Sequence, residues 1–272
     1  MYETRSDNLA VLRSKRRIAQ SEFENAFSEL YQLSMMHTSR LPKRRQKWLC
    51  PEIDSRMNSL YRGVMHINDI YFRNKTERVR YAARAAKRYI SSLNSLEKPL
   101  MIMWNVQKYE TGTMVRWVSK IKQEVYLLNR MHDDEDIECE VSVLDWYAIN
   151  NANFLKNMSE LHRYTHGKVA NAHTAYDGTE GSLLISLVND AFYELILANK
   201  KIPETKSEYE NRRQHISNSI TYLKEMNRPM LFYFNLMQYS ERVMNEWSEL
   251  LVNELKMLSS LQRSDKERFK TL

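Results

Sequence analysis

The chain has 272 residues, with 41 Lys and Arg against 34 Asp and Glu, 43% hydrophobic residues, and only five Gly and five Pro. So few turn formers exclude a protein built from many short strands, and two cysteines exclude a disulfide framework. The formal charge of +7 is unevenly spread: 25 Lys and Arg meet 12 Asp and Glu in residues 1–131 (+13), while 16 meet 22 in residues 132–272 (−6), which makes the first half the candidate polyanion binder.

Residues 1–18 carry Arg13, Lys15, Arg16 and Arg17 and read as a basic, solvated arm. A first helix is expected from Ser21, where Ser21 and Glu24 stand in capping-box order and Phe23, Phe27, Leu30 and Leu33 follow helical spacing. It should end before Leu41-Pro42, where Lys43, Arg44, Arg45 and Lys47 cluster in an expected turn. A second helix is predicted over about 51–72, with Pro51 in its first turn and Ile53, Met57, Leu60, Val64, Ile67 and Tyr71 on its apolar face. The third follows Asn74. Val79, Ala83, Ala86, Ile90 and Leu93 mark its buried stripe, and Arg73, Arg80, Arg84, Lys87 and Arg88 fall on a neighbouring face with Glu77 as the acidic counterweight. Such a face is ordinarily solvated surface; its length and lack of acidic partners make it the candidate phosphate-contacting site, assisted by Lys43, Arg44 and Arg45. A tight turn is expected at Lys98-Pro99, and a long fourth helix over about 99–131.

Residues 132–146 read as an acidic, solvated linker carrying Asp133, Asp134, Glu135, Asp136, Glu138 and Glu140, without the spacing of a calcium loop. Helices are then expected at about 148–170, 182–199, 207–226 and 229–261, with a loop at Asp177–Gly181. This second series repeats the first. At an offset of 130, residues 89–128 and 219–258 share Ile90/Ile220, Leu93/Leu223, Pro99/Pro229, Asn105/Asn235, Tyr109/Tyr239, Met114/Met244, Trp117/Trp247, Glu124/Glu254 and Leu128/Leu258. Phe23, Ser28, Glu29 and Leu30 recur at 131 as Phe154, Ser159, Glu160 and Leu161. A period of half the chain points to a duplicated domain, since solenoid repeats are only about 20–50 residues long. The expected fold is all-α: two tandem antiparallel (up-down) four-helix bundles, a basic one over 1–131 and an acidic one over 147–272.

Catalytic signatures are lacking: there is no phosphate-binding Gly-rich loop, no nucleophile elbow and no His-Glu-x-x-His. His162 and His166, one turn apart, read as surface histidines in place of metal ligands, and Cys50 as an inert thiol. Trp104, Trp117 and Trp247 sit on the apolar pattern and read as core or interface residues. No enzyme activity, metal or cofactor is expected. Apolar runs such as 99–106 fall short of the roughly 20 residues that span a bilayer, and Met1–Asn8 lacks a signal-peptide core, so a cytoplasmic protein without a membrane partner is expected.

Glu29-Leu30-Tyr31, Pro42-Lys43, the arginines 80, 84 and 88, Leu93, Lys98-Pro99, Gln107-Lys108-Tyr109 and Tyr126-Leu127-Leu128 together form a pattern that covers most of residues 20–131 and, more faintly, 150–260. This pattern resembles the accessory variability determinant (Avd) family of diversity-generating retroelements, related to four-helix-bundle proteins encoded in intervening sequences of 23S ribosomal RNA. The resemblance implies a non-catalytic basic bundle that assembles as a homo-oligomer, binds reverse transcriptase and template RNA or an RNA–DNA intermediate, and supports mutagenic cDNA synthesis. The alternative is a structural, oligomerising helical protein whose basic surface binds an acidic protein partner.

Overall fold

The computed structural model describes residues 22–69, 75–130, 136–142, 151–171 and 180–272. Among them every regular element is a helix, as the scarcity of turn formers requires. The elements are α1 (22–39), α2 (Lys43–Leu49), α3 (Pro51–Asp69), α4 (Lys75–Asn94), α5 (Glu97–Gln107), α6 (Thr111–Asn129), α7 (Asn153–Asn171), α8 (Glu180–Asn199), α9 (Lys206–Met237) and α10 (Glu241–Arg268). They form two compact units. The first takes the described residues up to Pro42, Leu49–Pro99 and Glu110–Ser142; the second takes Lys43–Trp48, Leu100–Tyr109 and the described residues from 151 onward.

In the first unit, helical spacing brings Phe23, Phe27 and Leu30 of α1, Ile53, Met57 and Leu60 of α3, Ile90 and Leu93 of α4, and Trp117, Ile121 and Leu128 of α6 into one core. Trp117 Nε1 donates to Ser34 Oγ at 3.0 Å, which ties α6 to α1. Tyr89 lies against Gly63 so closely that any Cβ there would meet its ring, so glycine is what lets α3 and α4 approach. The expected turn of Lys43–Lys47 is instead helical, since Pro42 lies just outside α2 and the following residues are good helix formers.

The helix boundary expected at Lys98-Pro99 also moves. Pro99 is the third residue of α5, where a missing N–H costs no intrahelical bond, and α5 runs on to Gln107. The break comes at Lys108, whose φ of 52° is left-handed, and α6 starts at Thr111. The second repeat breaks at the corresponding Gln238, with φ 50°, and there α9 passes through Pro229 without stopping. The exposed Glu225, four residues before Pro229, can turn its unbonded carbonyl to water. Thr205 and Glu208 close the start of α9 as a capping box.

α8 supplies the centre of the second unit through Leu184, Val188, Ala191, Phe192 and Leu195, and packs against both α7 and α9. By length and hydropathy α8 is apolar enough to cross a membrane. Here its polar residues are occupied inside the unit, Asn189 by two histidines and Glu194 by His215 at 2.7 Å. Trp247 Nε1 donates to Thr165 Oγ1 at 3.0 Å, so the tie between α6 and α1 recurs between α10 and α7.

Residues 136–142, expected as part of a solvated linker, are held to the first unit. Asn129 donates to Ile137 O at 2.9 Å and accepts from Ile137 N at 3.1 Å; Asn94 donates to Glu138 O at 3.0 Å and accepts from Glu140 N at 3.1 Å. Val141 is fully buried. The acidic side chains remain at the surface while the backbone is bound, which composition cannot reveal. The basic arm, residues 131–135 and Asp177–Thr179 lie outside the described residues.

Candidate nucleic-acid interface

The basic face rests on α4, whose amphipathic pattern leaves Arg80, Arg84, Lys87 and Arg88 exposed beside the buried Ala86, Ile90 and Leu93. At 1.5 Å of rise per residue, the row from Arg80 to Arg88 is about 12 Å long. Glu77 is the acidic residue of this helix's first turn and no basic partner closes its last turn. Arg84 Nε donates to Arg80 O at 3.3 Å, which aligns one guanidinium along the helix. Arg73 lies outside the described residues.

Lys43, Arg44 and Arg45 are also exposed, but they belong to α2 in the second unit, whereas α4 is in the first. Part of their chemistry is structural. Arg45 Nη1 donates to Gln107 Oε1 at 3.0 Å, and Lys47 Nζ sits 4.7 Å from the Trp48 ring centre. The cations grouped by sequence are therefore divided between the two units.

His162 and His166 are buried, not on the surface. They belong to a closed polar network of the second unit, with Asn189 on α8, Asn105 from α5, and Ser159 and Arg163 on α7. Asn189 Oδ1 accepts from Nε2 of His162 at 2.9 Å and of His166 at 2.8 Å, so both rings carry that proton. His162 Nδ1 is then free of a proton and accepts from Asn105 Nδ2 at 3.0 Å. Asn105 Oδ1 accepts from Ser159 Oγ and from Arg163 Nη1, the latter at 2.9 Å. Burial, with the neighbouring His166 next, holds His162 well below its usual range; burial likewise holds His166 down to about 4. Both Nε2 atoms and His162 Nδ1 are thus engaged within the network. Among the described residues no group of three or more His, Cys, Asp or Glu could hold a metal. Sequence spacing showed the shared helix face; the partners Asn105 and Asn189 come from far along the chain.

Cys50 Sγ lies 3.7 Å from Thr38 O, and burial, then Asp54, push its thiol up to about 12, which removes it as a nucleophile at neutral pH. Glu124 and Glu254, identical in the repeat, are both fully buried and pushed up to about 8 by burial. Their signal was present in the sequence: Glu124 follows Ile121 by three and precedes Leu128 by four, in the phase of the apolar stripe.

The second unit holds a feature that summing charge over half the chain conceals. A groove of about 1030 Å³ lies between the start of α9 and the end of α10, lined by Lys206 and Arg213 on one side and Arg263, Lys266 and Lys270 on the other. The spacings 206/213 and 263/266 are the helical signal that could have found it. No family model, curated protein or solved structure matches this chain.

Proposed function

We propose that the chain is a non-catalytic RNA-binding accessory protein of a diversity-generating retroelement. In this reading it consists of two tandem antiparallel four-helix bundles, assembles as a homo-oligomer in the cytoplasm, and brings reverse transcriptase to template RNA or an RNA–DNA intermediate. The observation that supports it is the exposed row Arg80, Arg84, Lys87 and Arg88 on a helix otherwise fixed by its buried stripe. Long cations on a rigid helix suit phosphate contact without base readout, so specificity should be modest.

The test is a salt titration of RNA binding by the full chain. Each phosphate contact should contribute about −0.7 to −0.9 to the logarithmic salt slope. Arg80→Glu with Arg84→Glu and Arg88→Glu should abolish binding while helicity stays intact, since these side chains are exposed. Binding that persists in this variant would overturn the reading. A structural, oligomerising role with an acidic protein partner is favoured by a different observation: Leu231 and Phe232 are 51% and 54% exposed on α9. An oligomer that forms normally and binds no RNA at low salt would select that role.

A further inference from the structure

We infer that the groove between α9 and α10 is a binding site for a run of two or three linked phosphate groups. Lys206 and Arg213 are seven residues apart on one wall, which spreads its cations over about 10 Å, and Arg263, Lys266 and, just past the end of α10, Lys270 line the other. Cations spread in this way on both walls fit an extended chain of charges better than a single tetrahedral anion. The volume, about 1030 Å³, is also that of a cleft for a sizeable ligand and far more than one phosphate fills.

The charge in the groove is uncommitted. Five cations meet two carboxylates, Glu210 and Glu267. Among the described residues none of the five forms an ion pair. The nearby acidic side chain Asp265 is already used: it is buried and accepts from Arg212 Nε at 2.6 Å, while Arg212 Nη1 also donates to Ala198 O. Arg212 thus locks α9 to α10 and leaves its neighbour Arg213 to face the groove. Tyr209 and Phe269, with ring centres 5.5 Å apart, also line the groove, and Ser259 and Gln262 add neutral donors. Like charges held together on two rigid helices repel each other, and a polyanion relieves that repulsion while releasing its own counterions.

This inference stands on residues of the second unit and does not depend on α4. Inorganic tripolyphosphate and inorganic monophosphate are titrated into the full chain by calorimetry at fixed salt. Tripolyphosphate should bind at least about ten-fold more tightly than monophosphate, because several contacts act together. Arg213→Glu with Arg263→Glu and Lys266→Glu should weaken it by at least ten-fold, and the α4 triple variant should bind it as the unaltered chain does. If the groove triple variant loses helicity, Lys206→Ala with Lys270→Ala serves instead and should lower affinity several-fold. A single-stranded oligouridylate then separates the sources. Displacement of tripolyphosphate assigns the site to a nucleic-acid strand, and failure to displace assigns it to a free phosphorylated molecule. Unchanged tripolyphosphate binding in the groove variants, or equal affinity for monophosphate, would overturn the site; loss of RNA binding in the α4 variant alone would leave the RNA proposal standing without it.

Discussion

In the first unit Glu124 is buried on α6 with neither carboxylate oxygen hydrogen-bonded to a described residue, whereas in the second Glu254, at the matching place on α10, accepts from Asn157 Nδ2 at 2.7 Å. The difference coincides with one position in the first helix of each repeat, α1 and α7. Asn157 of α7 corresponds, at the offset of 131, to Ala26 of α1, which has no donor to offer. Yet burial carries both carboxyls to about 8, and the hydrogen bond from Asn157 only partly opposes it. Desolvation therefore outweighs one good hydrogen bond at this site. The tryptophan ties behave in the opposite way: Ser34 and Thr165 differ in kind, and each still accepts from its indole at 3.0 Å. The two units keep the bond that positions a large ring and let the support of the buried acid vary.

Removing the rings should have the largest effect. Trp117→Ala and Trp247→Ala each empty a fully buried site and should destabilise by about 3–5 kcal/mol. Urea unfolding should show similar losses for the two; a mild effect in one alone would mean that the units do not rely equally on this ring.

The acids should produce a smaller, pH-dependent effect. Each carboxyl has a folded pKa of about 8, above the ordinary 4.5, so the folded chain retains a proton that the unfolded chain releases. The associated stability is complete below about 4.5, declines as pH rises through neutrality, and levels off above about 8. Urea midpoints should fall between pH 5 and pH 8.5. Glu124→Leu should flatten part of this decline and raise stability at pH 7 by about 1–3 kcal/mol, because nothing is left unpaired by its removal. Asn157→Ala, which gives the second unit the arrangement of the first, should instead cost about 1–2 kcal/mol. If Asn157→Ala is neutral, the contrast between the two carboxyls has no energetic weight.

The smallest expected change comes from the indole acceptors. Ser34→Ala and Thr165→Val leave a buried indole N–H without its partner and should each cost about 1 kcal/mol by the same unfolding measurement.

Periodicity carried most of the fold. Phe23, Ile53, Ile90, Trp117 and Trp247 all occupy the buried faces that their spacing required. Prolines misled. Pro99 and Pro229 read as punctuation, yet a first-turn proline is compatible with a helix and one whose preceding turn meets water at Glu225 can be accommodated within it, while the real breaks fall at Lys108 and Gln238, where nothing in the side chain demands a positive φ. The histidine pair was legible as a face but not as buried, because its acceptor Asn189 and donor Asn105 are 23 or more residues away. Charge totals concealed the groove: the six acids between Asp133 and Glu140 make up the whole −6 of residues 132–272, while the cations at 206, 213, 263, 266 and 270 converge locally. The α4 row was legible because its residues share one helix, which is the one case in which sequence spacing is also spatial spacing.

Asn94 and Asn129 each present a side-chain amide to the backbone of 137–140 in the way a neighbouring strand would. The segment thus behaves as a ligand carried on its own receptor. Four hydrogen bonds and one buried valine would hold a free peptide weakly, but a short tether supplies an effective concentration of about millimolar or more. Covalent continuity between α6 and Ile137 is therefore part of what keeps the segment in place. A proteolytic nick in that interval would convert a permanent contact into an exchangeable one, and a first unit prepared without residues 136–142 would present Asn94 and Asn129 as a vacant peptide-binding seam.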